Sequence, residues 1–274
     1  MKIKVHTDWK IHGETVRSAL GSNLVESFDN ADAAIFFPAT PQHKETVEWC
    51  KQRGIITAVY WMGQEAKKAV INKIWRDKLP KYDLQFCVHE RLKLELDTVD
   101  LFASTIYFFP KQIPSYANAP MMPMVAAYLP NLPNYMPETV TLIADKVPDI
   151  KFLIYGNKEP YKNLPGNCEQ HGWVTPEKAS EILKMSTCVL RVTAHDGFPQ
   201  NVIEMKMRDR HAVTNYFYQG CLHGKTIEDF VQILKDKKTH LPDVSFWPMW
   251  YRAHCSPETF RKRVVAKFTG KMGK

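Results

Sequence analysis

Three basic side chains, Lys158, Arg191 and His195, and two carboxylates, Asp196 and Glu204, are placed where they could serve anion chemistry. The densest part is Arg191 to Glu204, which reads Arg-Val-Thr-Ala-His-Asp-Gly-Phe-Pro-Gln-Asn-Val-Ile-Glu. Gly197 permits a sharp turn and Pro199 suits the first position of a helix, so a helix is expected to start near Pro199. Its free N–H groups and positive dipole end, with the backbone from Gly197 through Phe198 and Pro199 to Gln200, would face a ligand above the preceding strand. This is how a protein holds a diphosphate without a metal ion. Asp196 flanks that opening, and Glu204 lies one to two turns along the helix. Arg191 falls in an apolar run, where an unpaired charge is costly, so Asp196, Glu204 or a ligand phosphate is its expected partner. Lys158 follows Gly156-Asn157 and, like His195, could reach a phosphate. At least one of these three groups is needed, because a departing diphosphate must be neutralised. Taken alone, the same residues also fit ordinary capping: an Asp-Gly turn, then a helix with a Glu two turns on.

The elements that must position these groups follow from apolar runs and punctuation. Cys188 to Thr193 is a short β-branched, apolar run, the composition of a buried strand. Upstream, Ile150 to Gly156 reads as a strand, followed by a loop through Val174, and Thr175-Pro176-Glu177 caps a helix reaching Lys184. The rest of the chain alternates in the same way, which marks a parallel sheet wrapped by helices. Strands are expected at Lys2–His6, Ala33–Pro38, Ile55–Trp61, Leu84–His89 and Ser104–Phe109, with helices at Pro41–Arg53, Gln64–Lys78 and Glu90–Val99 between them. Between Pro110 and Pro123 the periodicity stops and prolines recur, the composition of a linker. A second series runs from Met124–Leu129 through a helix to Asp145, Lys151–Gly156, the Thr175 helix, the Cys188 strand, its following helix, Ala212–Phe217 and a helix at Lys225–Lys237. Phe246 to Tyr251 reads as a loop, and Ser256-Pro257-Glu258 caps a last helix to about Phe268.

The segment Asp196-Gly197-Phe198-Pro199-Gln200-Asn201-Val202-Ile203-Glu204 resembles the signature of the retaining GT-B glycosyltransferases, family 4 above all. That signature runs Glu-Gly-Phe-Pro, four mostly apolar residues, then Glu. Here Asp replaces the first acid. The order strand-Gly, Gly-x-Val, short helix, signature strand is similar as well, over roughly residues 123–231. The resemblance implies a short GT-B fold: two Rossmann-like, doubly wound α/β domains facing a cleft. An acceptor-side domain at 1–116 would be completed by a crossover helix at 256–268, and a nucleotide-sugar-binding domain would occupy 117–255. It further implies that Glu204 bonds the donor ribose, that Gly197 to Gln200 lie beside sugar and diphosphate, and that Asp196 contacts the transferred sugar. Two stretches depart from the pattern. Met205-Lys206-Met207-Arg208-Asp209-Arg210-His211 stands where the family has small residues and Gly-x-Pro. Ala126-Ala127-Tyr128-Leu129-Pro130-Asn131 stands where many members place an Arg-then-Lys pair. On the acceptor side, Tyr60-Trp61-Met62-Gly63-Gln64 resembles a Trp-x-Gly stretch of some bacterial GT-B enzymes, with Gly63 giving backbone access. Trp61 also fits a buried residue before a helix cap, and His89, at a strand-to-helix junction, fits either a ligand contact or a cap. His6-Thr7-Asp8-Trp9 to His12-Gly13 takes the place of a Gly-rich loop.

Composition narrows the classes. The 274 residues carry 45% hydrophobic and 24% charged side chains, a globular balance with room for two small domains, and no apolar run approaches a membrane span. The start, Met1-Lys2-Ile3-Lys4-Val5, lacks a signal-peptide pattern. The six cysteines are scattered without Cys-x-x-Cys or zinc spacing, so neither disulfides nor a metal site is expected and a reduced cytoplasm is the default. The net charge of +8 favours polyanions: nucleotide diphosphates, nucleic acid, or an anionic surface as a peripheral location. The expected activity is transfer of a sugar from a nucleotide-diphosphate-sugar donor to an acceptor hydroxyl, retaining and metal-independent, with no cofactor beyond the donor. The acceptor would be a glycan, a lipid-linked glycan or modified DNA. Two alternatives stand beside it: a sugar-nucleotide epimerase on the same fold, and a basic nucleic-acid or nucleotide-binding module without turnover.

Overall fold

The computed structural model describes residues 1–7, 10–110 and 120–272, and side chains for all of these except 10–12. Asp8, Trp9 and most of the expected linker, residues 111–119, lie outside the described residues. The chain divides into two units, Met1–Lys111 with His254–Lys274, and Gln112–Ala253.

Unit 1 holds six parallel strands: β1 (Ile3–Thr7), β2 (Leu24–Val25), β3 (Ala33–Phe37), β4 (Ile56–Trp61), β5 (Leu84–Cys87) and β6 (Ser104–Thr105), in the order β2-β1-β3-β4-β5-β6. Its helices are α1 (Lys10–Leu20), α2 (Lys44–Gln52), α3 (Gln64–Ile71), α4 (Lys73–Asp77) and α5 (Glu90–Asp97). The central strands are continuous apolar runs because helices cover both faces of such a sheet; β3 and nearly all of β4 are buried. The single helix expected over Gln64–Lys78 is in fact two. Asn72 turns extended and its side chain caps the Trp75 N–H at 2.9 Å, so an Asx cap wins over continued helical pairing. The expected strand Ser104–Phe109 pairs only at its first two residues. Beyond them the chain leaves the strand, and Phe108 and Phe109 are buried.

Unit 2 holds β7 (Met124–Tyr128), β8 (Lys151–Tyr155), β9 (Cys168–Gly172), β10 (Cys188–Arg191), β11 (His211–Thr214) and β12 (Leu222–His223), all parallel, in the order β12-β11-β10-β7-β8-β9. Counted from β7, this is the 3-2-1-4-5-6 order of a doubly wound nucleotide-binding sheet. Its helices are α6 (Pro137–Asp145), α7 (Pro176–Met185), α8 (Gln200–Met207), α9 (Ile227–Lys235) and α10 (Trp247–His254). One core packs β7, β8 and β10 against α6 and α9 through Val125, Phe152, Leu190, Ile143 and Phe230. The helix α10 was expected as a loop. Tyr251 explains it: the side chain is fully buried, stacks on Phe198 at 5.9 Å and donates its hydroxyl to the Gln219 carbonyl at 3.0 Å. β9 was also expected as loop, because its polar Glu169 and Gln170 at the sheet edge have no apolar signal.

The last helix, α11 (Pro257–Met272), belongs to unit 1. It buries Phe260, Val264 and Phe268, with Phe260 edge-on to Tyr60 at 5.7 Å and Phe268 edge-on to Phe86 at 5.8 Å.

Candidate functional site

In an open parallel sheet, the loops at the C-terminal ends of strands diverge where the strand order reverses, and ligands bind there. In unit 2 that point lies between β7 and β10. Small residues make it possible: Ala126 and Ala127, fully buried, lie level with Val189 and Leu190, which sets Arg191 beside Tyr128 at the two strand ends.

The Arg191 guanidinium sits over the rings of Tyr135 at 4.7 Å and Tyr128 at 5.6 Å, and its Nε donates to Asp196 Oδ2 at 2.7 Å. Both partners are mostly buried, with side chains 8% and 14% exposed. Burial opposes the charge on Arg191, and the Asp196 carboxylate with the phenols of Tyr135 and Tyr218 offsets it, so its pKa lies above the usual value. The expected Arg191–Asp196 pair is therefore present.

The loop from β10 to α8 is held from both sides. Thr193 exchanges hydrogen bonds with the Asn215 side chain, Ala194 donates to the Asn134 carbonyl, and Asn134 Nδ2 donates to the His195 carbonyl. The hydroxyls of Tyr216 and Tyr218 donate to the carbonyls of Ala194 and Gly197. Asp196 Oδ1 accepts from the Gly197 N–H at 3.0 Å. A loop tied at this many points presents its groups at fixed positions. Pro199 is the extended N-cap of α8 rather than its first helical residue. Phe198 is buried beside Tyr218 and Tyr251 and acts as the anchor of the turn.

Glu204 lies in the second turn of α8, 18% exposed, with Oε2 3.2 Å from Arg208 Nη1. Burial raises its pKa and Arg208 works the other way. Arg208 is itself almost fully buried, donates to the Glu204 carbonyl and gives Nη2 to Ser180 Oγ of α7 at 2.6 Å. The bulky stretch after Glu204 thus has a structural use at each basic residue. Lys206, fully buried, pairs with Asp243 and donates to the Gly220 carbonyl. Arg210 satisfies the last carbonyls of α7 by donating to Leu183, Lys184 and Ser186. Asp209 takes the left-handed conformation, φ 57°, and its carboxylate is held by Arg252 at 2.8 Å.

Across the switch point, β8 ends at Gly156, whose φ of +93° and close approach to the Tyr128 ring exclude any side chain. Lys158, two residues on, is exposed and reaches over the Trp173 ring at 5.8 Å. Three buried polar atoms on these loops have no hydrogen-bond partner: Asn157 Oδ1 after β8, Thr193 Oγ1 after β10, and Gln200 Nε2 in the first turn of α8. Buried polar atoms are almost always paired, so these three are candidates for contact with a polar ligand. A wider groove of about 780 Å³ opens at the opposite edge of the sheet, near Pro123, Ile150 and Thr187, away from these groups. Among the described residues there is no group of three or more His, Cys, Asp or Glu able to hold a metal ion.

The unit 1 candidates are placed differently. Trp61 is 1% exposed and donates Nε1 to Gln85 Oε1 at 3.0 Å, so its indole belongs to the core. His89 is 2% exposed, and its Nδ1 accepts from the Arg91 N–H at 3.1 Å, capping α5. Gly63 is the N-cap of α3. Tyr128, Tyr135, Asn157, Ser180 and Arg208 were not singled out from sequence. The tyrosines lie far from Arg191 in the chain, and only the i,i+4 spacing of Arg208 from Glu204 was there to be read.

A scan against protein-family models finds no match, and no curated protein matches the sequence. Solved structures do match. A glycosyltransferase from Rickettsia africae ESF-5 is similar with a TM-score of 0.69 at 10% identity, over 98% of this chain and 97% of that one. Sucrose-phosphate synthase from Thermosynechococcus elongatus is similar with a TM-score of 0.64 at 10% identity, over 88% and 73%. A mutant of S. aureus TarM, in complex with fondaparinux, alpha-GlcNAc-glycerol and UDP, gives 0.63 at 16% identity, over 92% of this chain. The chain spans 58% of that TarM chain. At such identities the likeness is one of fold. The fold is α/β, two parallel six-stranded sheets with flanking helices, as in GT-B glycosyltransferases.

Proposed function

We propose that this chain transfers a sugar from a nucleotide-diphosphate-sugar donor to an acceptor hydroxyl, with retention and without a metal ion. The observation that carries the reading is that Asn157 Oδ1, Thr193 Oγ1 and Gln200 Nε2, on the segments that follow β8 and β10, are buried without a partner, with the Arg191–Asp196 pair on the same β10 segment. Glu204 takes the ribose hydroxyls. The amides opening α8, from Gly197 to Gln200, receive the diphosphate with the helix dipole behind them. The cation that many family members supply from the end of the β7 strand comes here from the neighbouring strand, because Arg191 lies alongside Tyr128. Arg191 and the exposed Lys158 stabilise the charge that develops on the departing diphosphate, with His195 as a further donor. Asp196, fixed by Arg191, contacts the transferred sugar while the acceptor hydroxyl attacks from the face the diphosphate leaves. Unit 1 carries the acceptor side, where Gly63 offers backbone and Trp61 and His89 shape the strand ends from within. The fold neighbours support this reading, and the UDP and glycan molecules named with TarM fit its donor and acceptor classes.

The test is a panel of radiolabelled UDP-, GDP- and dTDP-sugars without acceptor. A transferase leaks sugar to water, an epimerase converts it, and a binding module does neither. EDTA is expected to leave the rate unchanged. Glu204→Gln is expected to lower nucleotide affinity about 10- to 150-fold, the worth of one charged hydrogen bond at about 1.5–3 kcal/mol. Parent-like affinity in that variant would overturn the site.

A further inference from the structure

Unit 1 displays a feature that the transfer reading does not use. Residues 64–81, which include α3 and α4, hold six Lys or Arg against two acids, a net +4 that equals half the charge of the whole chain. At the corner between the helices, Ile71 and Ile74 are each 73% exposed. The corner is well built. Asn72 caps Trp75, Arg76 folds back to donate to the Ala69 carbonyl at 2.6 Å, and Lys68 lies over the Trp75 ring at 4.9 Å. Ala66 and Ala69 on α3 are fully buried, so the helix presents its small residues inward. Lys68, Lys73, Lys78 and Lys81 are exposed around the corner.

We propose that this corner docks the protein on an anionic lipid bilayer, with Ile71 and Ile74 entering the headgroup and acyl boundary and the lysines around them meeting acidic headgroups. The proposal stands independently of the unit 2 reading. Two branched aliphatic side chains held out at 73% exposure offer nothing to a phosphate backbone, whereas hydrocarbon removes them from water. Exposed lysines on long apolar stems, carried by the same two helices and the residues after them, are what an interfacial site needs. Among the described residues no helix is long and apolar enough to cross a membrane, so the contact lies on the surface. Its charge complementarity points to acidic lipid rather than to a neutral bilayer.

The test is co-sedimentation of the full chain with phosphatidylcholine vesicles that do or do not contain about 30% phosphatidylserine, at low and high salt. The protein is expected to bind the acidic vesicles at low salt and to be released by salt. Lys68→Gln/Lys78→Gln should weaken partitioning about 25-fold, roughly fivefold for each charge near an anionic surface. Ile71→Ser/Ile74→Ser should weaken it at least about tenfold with unchanged thermal stability, since both side chains are already in water. Ile71→Ala/Ile74→Ala serves as the milder pair should the serine variant lose stability. Equal binding to both vesicle types, no binding to either, or isoleucine variants that bind like the parent would overturn the proposal. So would a short DNA duplex or polyglutamate that binds as tightly as the acidic vesicles through the lysines alone, which would assign the corner to a nucleic acid or an acidic protein.

Discussion

At the C-terminal edge of the unit 2 sheet, Asn157 Oδ1, Thr193 Oγ1 and Gln200 Nε2 are buried without partners, and two ion pairs, Arg191–Asp196 and Arg208–Glu204, sit close by. At the corresponding edge of unit 1, four described polar groups bond within the unit. Trp61 bonds Gln85, Tyr60 donates to the Ile106 carbonyl at 2.6 Å, His89 caps α5, and Glu65 reaches back to the Met62 N–H. These named groups thus differ: those of unit 1 are bonded within the unit, and the three atoms of unit 2 are not. A closed edge adds stability, while an incomplete one loses some and gains an affinity for polar ligands.

The largest expected effect breaks the unit 2 edge. Arg191→Met should cut turnover by at least about 100-fold through loss of charge on the leaving diphosphate. It should also destabilise the fold by about 3–5 kcal/mol by leaving Asp196 without its partner in a mostly buried site. Adding Asp196→Ala should restore part of that stability in denaturant melts while turnover stays low. Recovery of both together would make the pair a purely structural brace.

Arg208→Met should act through pH. Burial holds the Glu204 pKa above the usual carboxylate range, and Arg208 limits that rise. If the Glu204 carboxylate binds the ribose as proposed, affinity should fall as pH drops through the raised pKa, and at higher pH in the variant than in the parent. The stability linkage has the opposite sense. The folded state holds this proton more tightly than the unfolded chain does, so this group's contribution to stability falls as pH rises between the usual and the raised value. Calorimetric titration of UDP across pH measures the first effect, and a pH profile identical in both proteins would remove Arg208 from the positioning of Glu204.

The smallest effect belongs to the closed edge. Trp61→Phe keeps the aromatic volume and removes the bond to Gln85, for an expected loss of about 1 kcal/mol in stability and no change in nucleotide affinity. A drop in affinity comparable to that of Glu204→Gln would show that the comparison between the two edges is drawn in the wrong place.

Much of this was legible in the chain. The alternation of apolar runs with capped amphipathic stretches foretold a parallel α/β sheet in each half. The Thr175-Pro176 start of α7 and the strand-turn-helix from Cys188 through Gln200 read directly, because caps, turns and β-branched runs act within a few residues. The shortfalls have one physical origin. α10 forms because Tyr251 packs on Phe198, and β9 pairs because β8 offers it an edge. Trp61 and His89 were open between ligand contact and core or cap, and only the fold supplies the partners seen here, Gln85 for the indole and the Arg91 N–H for the imidazole.

The sequence by itself determined the kinds of element and the local chemistry at their ends: an acid on each side of a helix start, cations nearby, and a basic lysine-rich stretch in the first half. Tertiary structure alone decided which groups meet. Arg191 lies over Tyr128 and Tyr135 because β10 inserts beside β7, with Leu190 level with Ala127, 63 residues earlier. Glu204 is held through Arg208 to Ser180 because α7 packs against α8. Strand order and helix packing are set by burial of whole faces, and no spacing within one segment carries that information.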